Sequence, residues 1–243
     1  MSKPDRDALK RAAAVRAVDF VEPGMLVGLG TGSTAIHAVR EIARRYGAGE
    51  LPGLRTFATS HEVARAAAEA GLPLVDDEGP AFIDLTIDGA DEVDPELNVI
   101  KGGGGALLHE KVVAQATKRQ IIVVDESKLS PRLGTIHHLP VEVIPFGRGS
   151  QKEFLAALGG NPVLRLGKDG QPFKTDEGNF IYDCDFGPIE NPEELGAELC
   201  NRAGVVDHGL FLGMTDDLIV AGADGLRHLQ RDPETGKICQ IGN

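Results

Sequence analysis

Alternating strand and helix patterns through the first half of the chain predict an α/β protein, built on a parallel, Rossmann-like sheet with helices on both faces. From about Leu139 the order becomes β-α-β-β-α-β, which predicts a smaller α+β domain of the ferredoxin-like type. After it, "DDLIVAG" returns to the apolar strand style of the first half, so the small domain reads as inserted and the chain as rejoining the first sheet. The expected division is residues 1–138 and 214–243 for the larger domain and 139–213 for the insert.

Each element has its own signal. Leu9, Ala12, Ala13, Val15, Ala17, Val18 and Phe20 recur at helical spacing between Asp5 and Val21, and Pro23-Gly24 ends that helix. "MLVGLG" reads as a buried strand, "GTGSTA" as the loop after it, and Thr34 to Tyr46 as a helix. "LRTFAT" predicts a second strand, "SHEVARAAAEA" a helix capped by Ser60, and "AFIDLTIDGADEVD" a strand ending in acids. "ALLHEKVVAQATK" predicts a helix, and the β-branched "IIVVDES" a strand. In the insert, "VEVIP", "VLRL", "NFIYDCDF" and "VVDHGLFL" read as strands, with helices near Gln151–Leu158 and Pro192–Ala203.

Composition narrows the function. With 243 residues, 42% hydrophobic and 26% charged, the chain can bury a sizeable core and has the balance of an ordinary globular protein. No apolar run approaches a membrane span, and the charged "MSKPDRDALKR" is unlike a secretory signal, so a cytoplasmic location is expected. A net charge of −12 without a clustered basic surface argues against nucleic acid, while a local pocket for a small anion stays possible. The three cysteines, Cys184, Cys200 and Cys239, form no CxxC pair and suggest neither a disulfide framework nor a zinc site. His37, His137 and His138 lack a second ligand at metal spacing, so no metal is expected.

Four stretches could carry chemistry. "GLGTGSTA" puts glycines and hydroxyls between a strand and a helix start, where free backbone N–H groups and the helix dipole attract an anion. Gly30, Gly32 and Ala35 also meet a G-x-G-x-x-A pattern, but the next strand ends in Thr59 and Ser60 instead of a ribose-binding acid. The glycines alone would serve a tight turn equally well. In "DGADEVD", Asp88 and Asp91 stand at a strand's C-terminal end, where they could transfer protons, hold a cation or bind sugar hydroxyls; a solvated loop is the plain alternative.

"KGGGGALLHEK" sets Lys101, four glycines and then Glu110, expected two turns into a helix. A carboxylate to take a proton beside a carbonyl, and a cation to stabilise the resulting enolate oxygen, fit that set. The alternative makes Glu110 an ordinary surface residue between His109 and Lys111. Finally, "DESK" places Lys128 just past a strand, at the sheet edge expected for Ser33, Asp88 and Lys101.

Together, in this order and each after a strand, these four motifs resemble the A-type ribose 5-phosphate isomerases. The likeness continues through "EPGMLVGLGTGSTA", "LPVEVIPFG", "GVVDHGLF" and "ADGL", nearly the whole chain. The resemblance implies a cofactor-free aldose–ketose isomerase of the pentose phosphate pathway, acting on ribose 5-phosphate and ribulose 5-phosphate through an enediolate. It implies Glu110 as base, Asp88 assisting ring opening, Asp91 on substrate hydroxyls and Lys101 on the oxyanion. Thr31, Gly32, Ser33 and Thr34 would hold the phosphate with Lys128 and Lys10, and Gly89, Ala90, Gly102, Gly103 and Gly104 would line the sugar. A homodimer or homotetramer is implied, with a sugar phosphate as the small-molecule partner.

Two departures stand out: His109 where the resemblance leads one to expect arginine, and Asp207-His208 where a Glu-Thr-like pair is frequent. A phosphosugar sensor and a nicotinamide-dependent oxidoreductase are the rival readings. The first lacks a DNA-reading module, since only one helix precedes the sheet, and the second lacks the strand-end acid.

Overall fold

The computed structural model describes residues 6–76 and 78–241. Its elements begin with α1 (Arg6–Val18), β1 (Leu26–Leu29), α2 (Ala35–Gly47), β2 (Arg55–Ala58), α3 (His61–Glu69) and β3 (Leu85–Asp88). There follow β4 (Glu92–Val93), β5 (Val99–Ile100), α4 (Leu107–Gln115), β6 (Gln120–Asp125), a 3-10 turn (Glu126–Lys128), β7 (Leu139–Val143) and α5 (Arg148–Ala157). The chain continues with β8 (Pro162–Leu164), β9 (Phe180–Cys184), α6 (Pro192–Cys200), β10 (Val205–His208), β11 (Leu210–Phe211), β12 (Asp217–Gly222), β13 (Gly225–Arg231) and β14 (Ile238–Ile241). Asp5, the expected start of the first helix, lies outside the described residues.

The residues fall into two compact units. Among the described residues the first takes those up to Ala90, then His109–Lys128 and those from Gly213 on. It carries a seven-stranded sheet in the order β14-β13-β12-β6-β3-β1-β2. β2, β1, β3, β6 and β12 run parallel. β13 and β14 then extend the sheet antiparallel, a hairpin that the apolar patterns do not reveal. Both faces of β1, β3, β6 and β12 are buried, which is why they read as apolar runs, while the edge strand β2 is partly exposed. On one face Ala13, Ala14 and Ala17 of α1 pack with Ile42 of α2 against Leu29, Ile87 and Val123; on the other, Val113 of α4 meets Leu26 and Ile83. This is the α/β architecture the sequence predicts.

The second unit comprises Asp91–Leu108 and Leu129–Leu212. Its main sheet has the antiparallel order β10-β7-β9-β8, with α5 and α6 returned between the strands in the β-α-β-β-α-β order expected. Val141, Leu155, Tyr182, Cys184 and Leu199 form its core.

The unit is larger than residues 139–213. It also takes 91–108 and 129–138, while Gly213 falls to the first unit. The physical reason is a second small sheet, β11-β5-β4, in which Leu210 and Phe211 pair with Ile100 and Val99. "AFIDLTIDGADEVD" is accordingly not one strand: β3 ends at Asp88, and Glu92–Val93 form β4 of the small sheet. "VVDHGLFL" likewise divides at Gly209 into β10 and β11. Among the described residues no helix is long and apolar enough to cross a membrane.

Candidate active site

In the first unit, three parallel strands end at one edge. β1 runs into Gly30–Thr34, β3 stops at Asp88, and β6 leads through Asp125 to Lys128 in the 3-10 turn. This C-terminal edge is where open α/β sheets bind ligands. Asp88 is fully buried, so the solvated-loop alternative fails for it, and its Oδ1 accepts the Gly89 N–H at 2.7 Å. Gly30 is the condition for that placement, because a Cβ there would collide with the Asp88 carboxylate.

The loop after β1 is braced by hydroxyls. Thr31 Oγ1 donates to Ser60 Oγ at 2.8 Å and lies 2.8 Å from Thr59 Oγ1, while Thr59 Oγ1 donates to Leu29 O at 2.9 Å. Thr59 matters in the sequence only as the place where an acid is missing; here Thr59 and Ser60 hold the loop in shape. Ser60 also caps α3, accepting the Val63 N–H at 3.2 Å, as expected. Thr34 occupies the N-cap of α2 but its side chain makes no capping bond, and the helix starts one residue later than predicted. Lys10 Nζ on α1 donates to Ser33 Oγ at 2.9 Å, which brings a cation to the loop from 23 residues away. Hydroxyls and the Lys10 ammonium, which are groups able to bond an anion, thus meet at the loop before α2.

Glu110 lies in the first turn of α4, not two turns in, since the helix begins at Leu107. It is 5% exposed. An ordinary surface glutamate would be solvated, so the plain alternative is excluded. His109 packs its ring edge-on against His61, with centroids 6.1 Å apart.

In the second unit, Lys101 follows β5 and is 2% exposed. The strand it follows therefore belongs to the small sheet and not to the parallel sheet. Its backbone N–H donates to Gly209 O at 2.9 Å, and its Nζ stands 5.7 Å from the Phe211 ring centre. Gly209 is required there, because a Cβ would collide with the Lys101 carbonyl. Sequence reasoning missed Gly209 and Phe211; the only signal was the glycine that interrupts "VVDHGLFL".

The glycine run now has a cause at three of its four positions. Gly102 and Gly105 adopt φ of +101° and +89°, a region that favours glycine. Gly103 lies so near Asp91 that a Cβ would stand 2.7 Å from its Oδ1. The Gly103 N–H donates to Asp91 Oδ2 at 2.7 Å, and Asp91 N donates to Ile100 O at 2.8 Å. Gly104 is exposed.

Glu92, next to Asp91, does different work. It is fully buried and accepts from Ser130 Oγ at 2.5 Å and from the N–H groups of Gly134, Thr135, Ile136 and His137 at 2.9–3.2 Å. Those bonds fix the loop that sets His137 Nε2 4.0 Å from Asp91 Oδ1.

His37 faces Asp7 at 3.2 Å and His138 faces Asp185 at 3.9 Å. Cys184, Cys200 and Cys239 are free thiols. Among the described residues one group has metal-ligand spacing, Cys200, Asp207 and His208. Its polarity opposes a metal: His208 Nδ1 accepts the Leu210 N–H at 3.2 Å, so the neutral ring carries its proton on Nε2, towards Cys200 Sγ at 3.5 Å. A ligating imidazole needs the reverse arrangement.

The family model for ribose 5-phosphate isomerase A (phosphoriboisomerase A) matches residues 55–225. The chain belongs to this family. A ribose 5-phosphate isomerase A of Desulfatibacillum aliphaticivorans is 55% identical over 225 residues, covering 93% of this chain and 98% of its own. Among solved structures, a D-ribose 5-phosphate isomerase in complex with phospho-erythronic acid superposes with a TM-score of 0.91 at 36% identity, covering 93% of this chain and 100% of that one. The enzyme of Methanocaldococcus jannaschii gives a TM-score of 0.88 at 38% identity over the same shares. Membership of this family brings aldose–ketose isomerase activity with it.

Proposed function

We propose that this member of the ribose 5-phosphate isomerase A family interconverts ribose 5-phosphate and ribulose 5-phosphate through an enediolate, with Glu110 as the general base. The observation that carries the assignment is the company these buried groups keep: Asp88 is fully buried against Gly30 at the C-terminal edge of the parallel sheet, where Lys10 bonds to Ser33 of the adjoining loop, and Glu110 and Lys101 are buried at 5% and 2% exposure. Ionisable groups are rarely sequestered so completely without a purpose that repays their desolvation.

The loop Thr31, Gly32, Ser33 and Thr34 binds the phosphate, with Lys10 already bonded to Ser33 and with help from Lys128, which ends the 3-10 turn after β6. Asp88 assists opening of the furanose by moving a proton between ring oxygen and anomeric hydroxyl. Asp91, oriented by the Gly103 N–H, accepts hydrogen bonds from sugar hydroxyls, and Gly89, Ala90, Gly102, Gly103 and Gly104 line the chain of the sugar. Glu110 takes the proton from C2 of the open aldose, and the electron pair moves onto O1 to form the enediolate. Lys101 stabilises that anion. Glu110 returns the proton to C1, and the hydroxyl proton at O2 moves to O1, so the ketose forms with no net redox change and no cofactor. Phospho-erythronic acid, held by one structural neighbour, is a phosphorylated sugar acid and fits the same combination of anion loop and hydroxyl acceptors. We also propose a cytoplasmic homodimer or homotetramer.

The test is conversion of ribose 5-phosphate in EDTA, followed by ketose absorbance. Glu110→Gln keeps the shape and removes the base, so kcat falls at least about a hundredfold with little change in KM. More than a tenth of the original kcat in that variant removes Glu110 from the role.

A further inference from the structure

We propose that Arg165 is a positioning residue for substrate binding, acting through a single peptide group upon Asp91. The inference rests on the isomerase reading above and extends it to a residue outside the four motifs.

Arg165 follows β8 and is anchored at both ends. Its backbone N–H donates to Ile181 O at 2.8 Å, and its carbonyl accepts the Phe173 N–H at 2.9 Å. The guanidinium meets Asp183 on β9 through two prongs, Nε to Oδ2 at 3.0 Å and Nη2 to Oδ1. Asp183 thus fixes the plane of the fork, and the side chain is only 13% exposed. The remaining nitrogen is left to reach the glycine run: Nη1 donates to Gly102 O at 2.7 Å and to Gly103 O at 3.2 Å.

The Gly102 carbonyl and the Gly103 N–H belong to one planar peptide unit. On one side that unit accepts from Arg165, and on the other its N–H donates to Asp91 Oδ2 at 2.7 Å. A charged donor on the carbonyl polarises the peptide and strengthens its N–H as a donor, so the two bonds support each other. It also opposes a flip of that peptide, which glycines on both sides would otherwise permit. Phe173 reinforces the arrangement, because its ring fills the place a Gly105 side chain would take. A lysine in place of Arg165 could not hold Asp183 with two prongs and still reach Gly102 with a third nitrogen.

Lys101 is held separately, by Gly209 O and beside the Phe211 ring. Loss of Arg165 should therefore disturb the grip on sugar hydroxyls more than the stabilisation of the enediolate.

The test is steady-state kinetics of Arg165→Met, Asp91→Asn and the double variant on ribose 5-phosphate, with folding checked by circular dichroism. Arg165→Met should raise KM about tenfold and change kcat less than about threefold. If Arg165 acts through Asp91, the double variant has a KM no higher than that of Asp91→Asn alone. Arg165→Lys, the milder change, should show a smaller KM rise with the same lack of additivity, and it decides the matter should the methionine variant fail to fold. A loss confined to kcat, an unchanged KM, or additive effects in the double variant overturns the proposal while the isomerase reading stands. Absence of turnover in the unmodified protein removes both.

Discussion

The two edges of the parallel sheet both bury carboxylates, yet they treat them differently. At the N-terminal edge acids are matched to cations and donors. Asp217, fully buried, takes both prongs of Arg119 at 2.7 and 3.0 Å, His228 Nε2 at 2.7 Å and Gln230 at 3.2 Å. Asp84 accepts from Lys118 at 2.8 Å and from the Leu26 N–H at 2.9 Å, which holds its carboxyl below the usual carboxylate range. At the C-terminal edge Asp88 lies against Gly30 and accepts the Gly89 N–H, at the end of the strand beside the one whose loop bonds Lys10 of α1 through Ser33. The first pattern is that of a fold being held together; the second stands at the edge where open α/β sheets bind their ligands. Burial alone does not separate structure from function; the identity of the neighbours does.

That contrast can be broken by exchanging the consequences of mutation. Asp88→Asn should lower kcat/KM about a hundredfold with no loss of melting temperature, since removing a buried charge relieves desolvation. A variant that melts well below the parent, or turns over normally, would place Asp88 with the structural acids. Asp217→Ala should do the opposite. Removing one partner of a buried pair leaves Arg119 and His228 facing a void, at about 3–5 kcal/mol in chemical denaturation, while kcat/KM of the folded protein stays within about twofold. A smaller effect sharpens the phosphate loop: Lys10→Met should raise KM for ribose 5-phosphate about fivefold and leave the denaturation midpoint unchanged, because one partly exposed charged hydrogen bond is lost. An unchanged KM would detach Lys10 from phosphate binding.

Much of this was legible in the chain. The inner strands β1, β3, β6 and β12 announce themselves as apolar runs because both their faces are covered, and Ser60 announces α3 by its capping chemistry. The motif residues were legible as types: glycines and hydroxyls before a helix, acids after a strand, a lysine and a glutamate around a glycine run. Their neighbours were not. Glu92 differs from Asp91 by one position and both are acids, yet one binds five loop donors and the other turns towards Gly103. Nothing in "DGADEVD" distinguishes them, because the partners of Glu92 lie some forty residues on. The domain boundary slipped for the same reason: two-residue strands such as β4, β5 and β11 are too short to show a pattern and exist only by pairing with one another.

The sequence by itself determined the α/β class, the inserted β-α-β-β-α-β unit and the chemistry of the residues in four motifs, since local periodicity and residue type suffice for these. Tertiary structure alone decided which charges are buried, that Lys10 reaches Ser33, that Gly30 makes room for Asp88, and that Arg165 grips the glycine run. Each of those depends on contacts between segments from 23 to 63 residues apart, and such contacts are fixed by packing, which leaves no periodic trace in the chain.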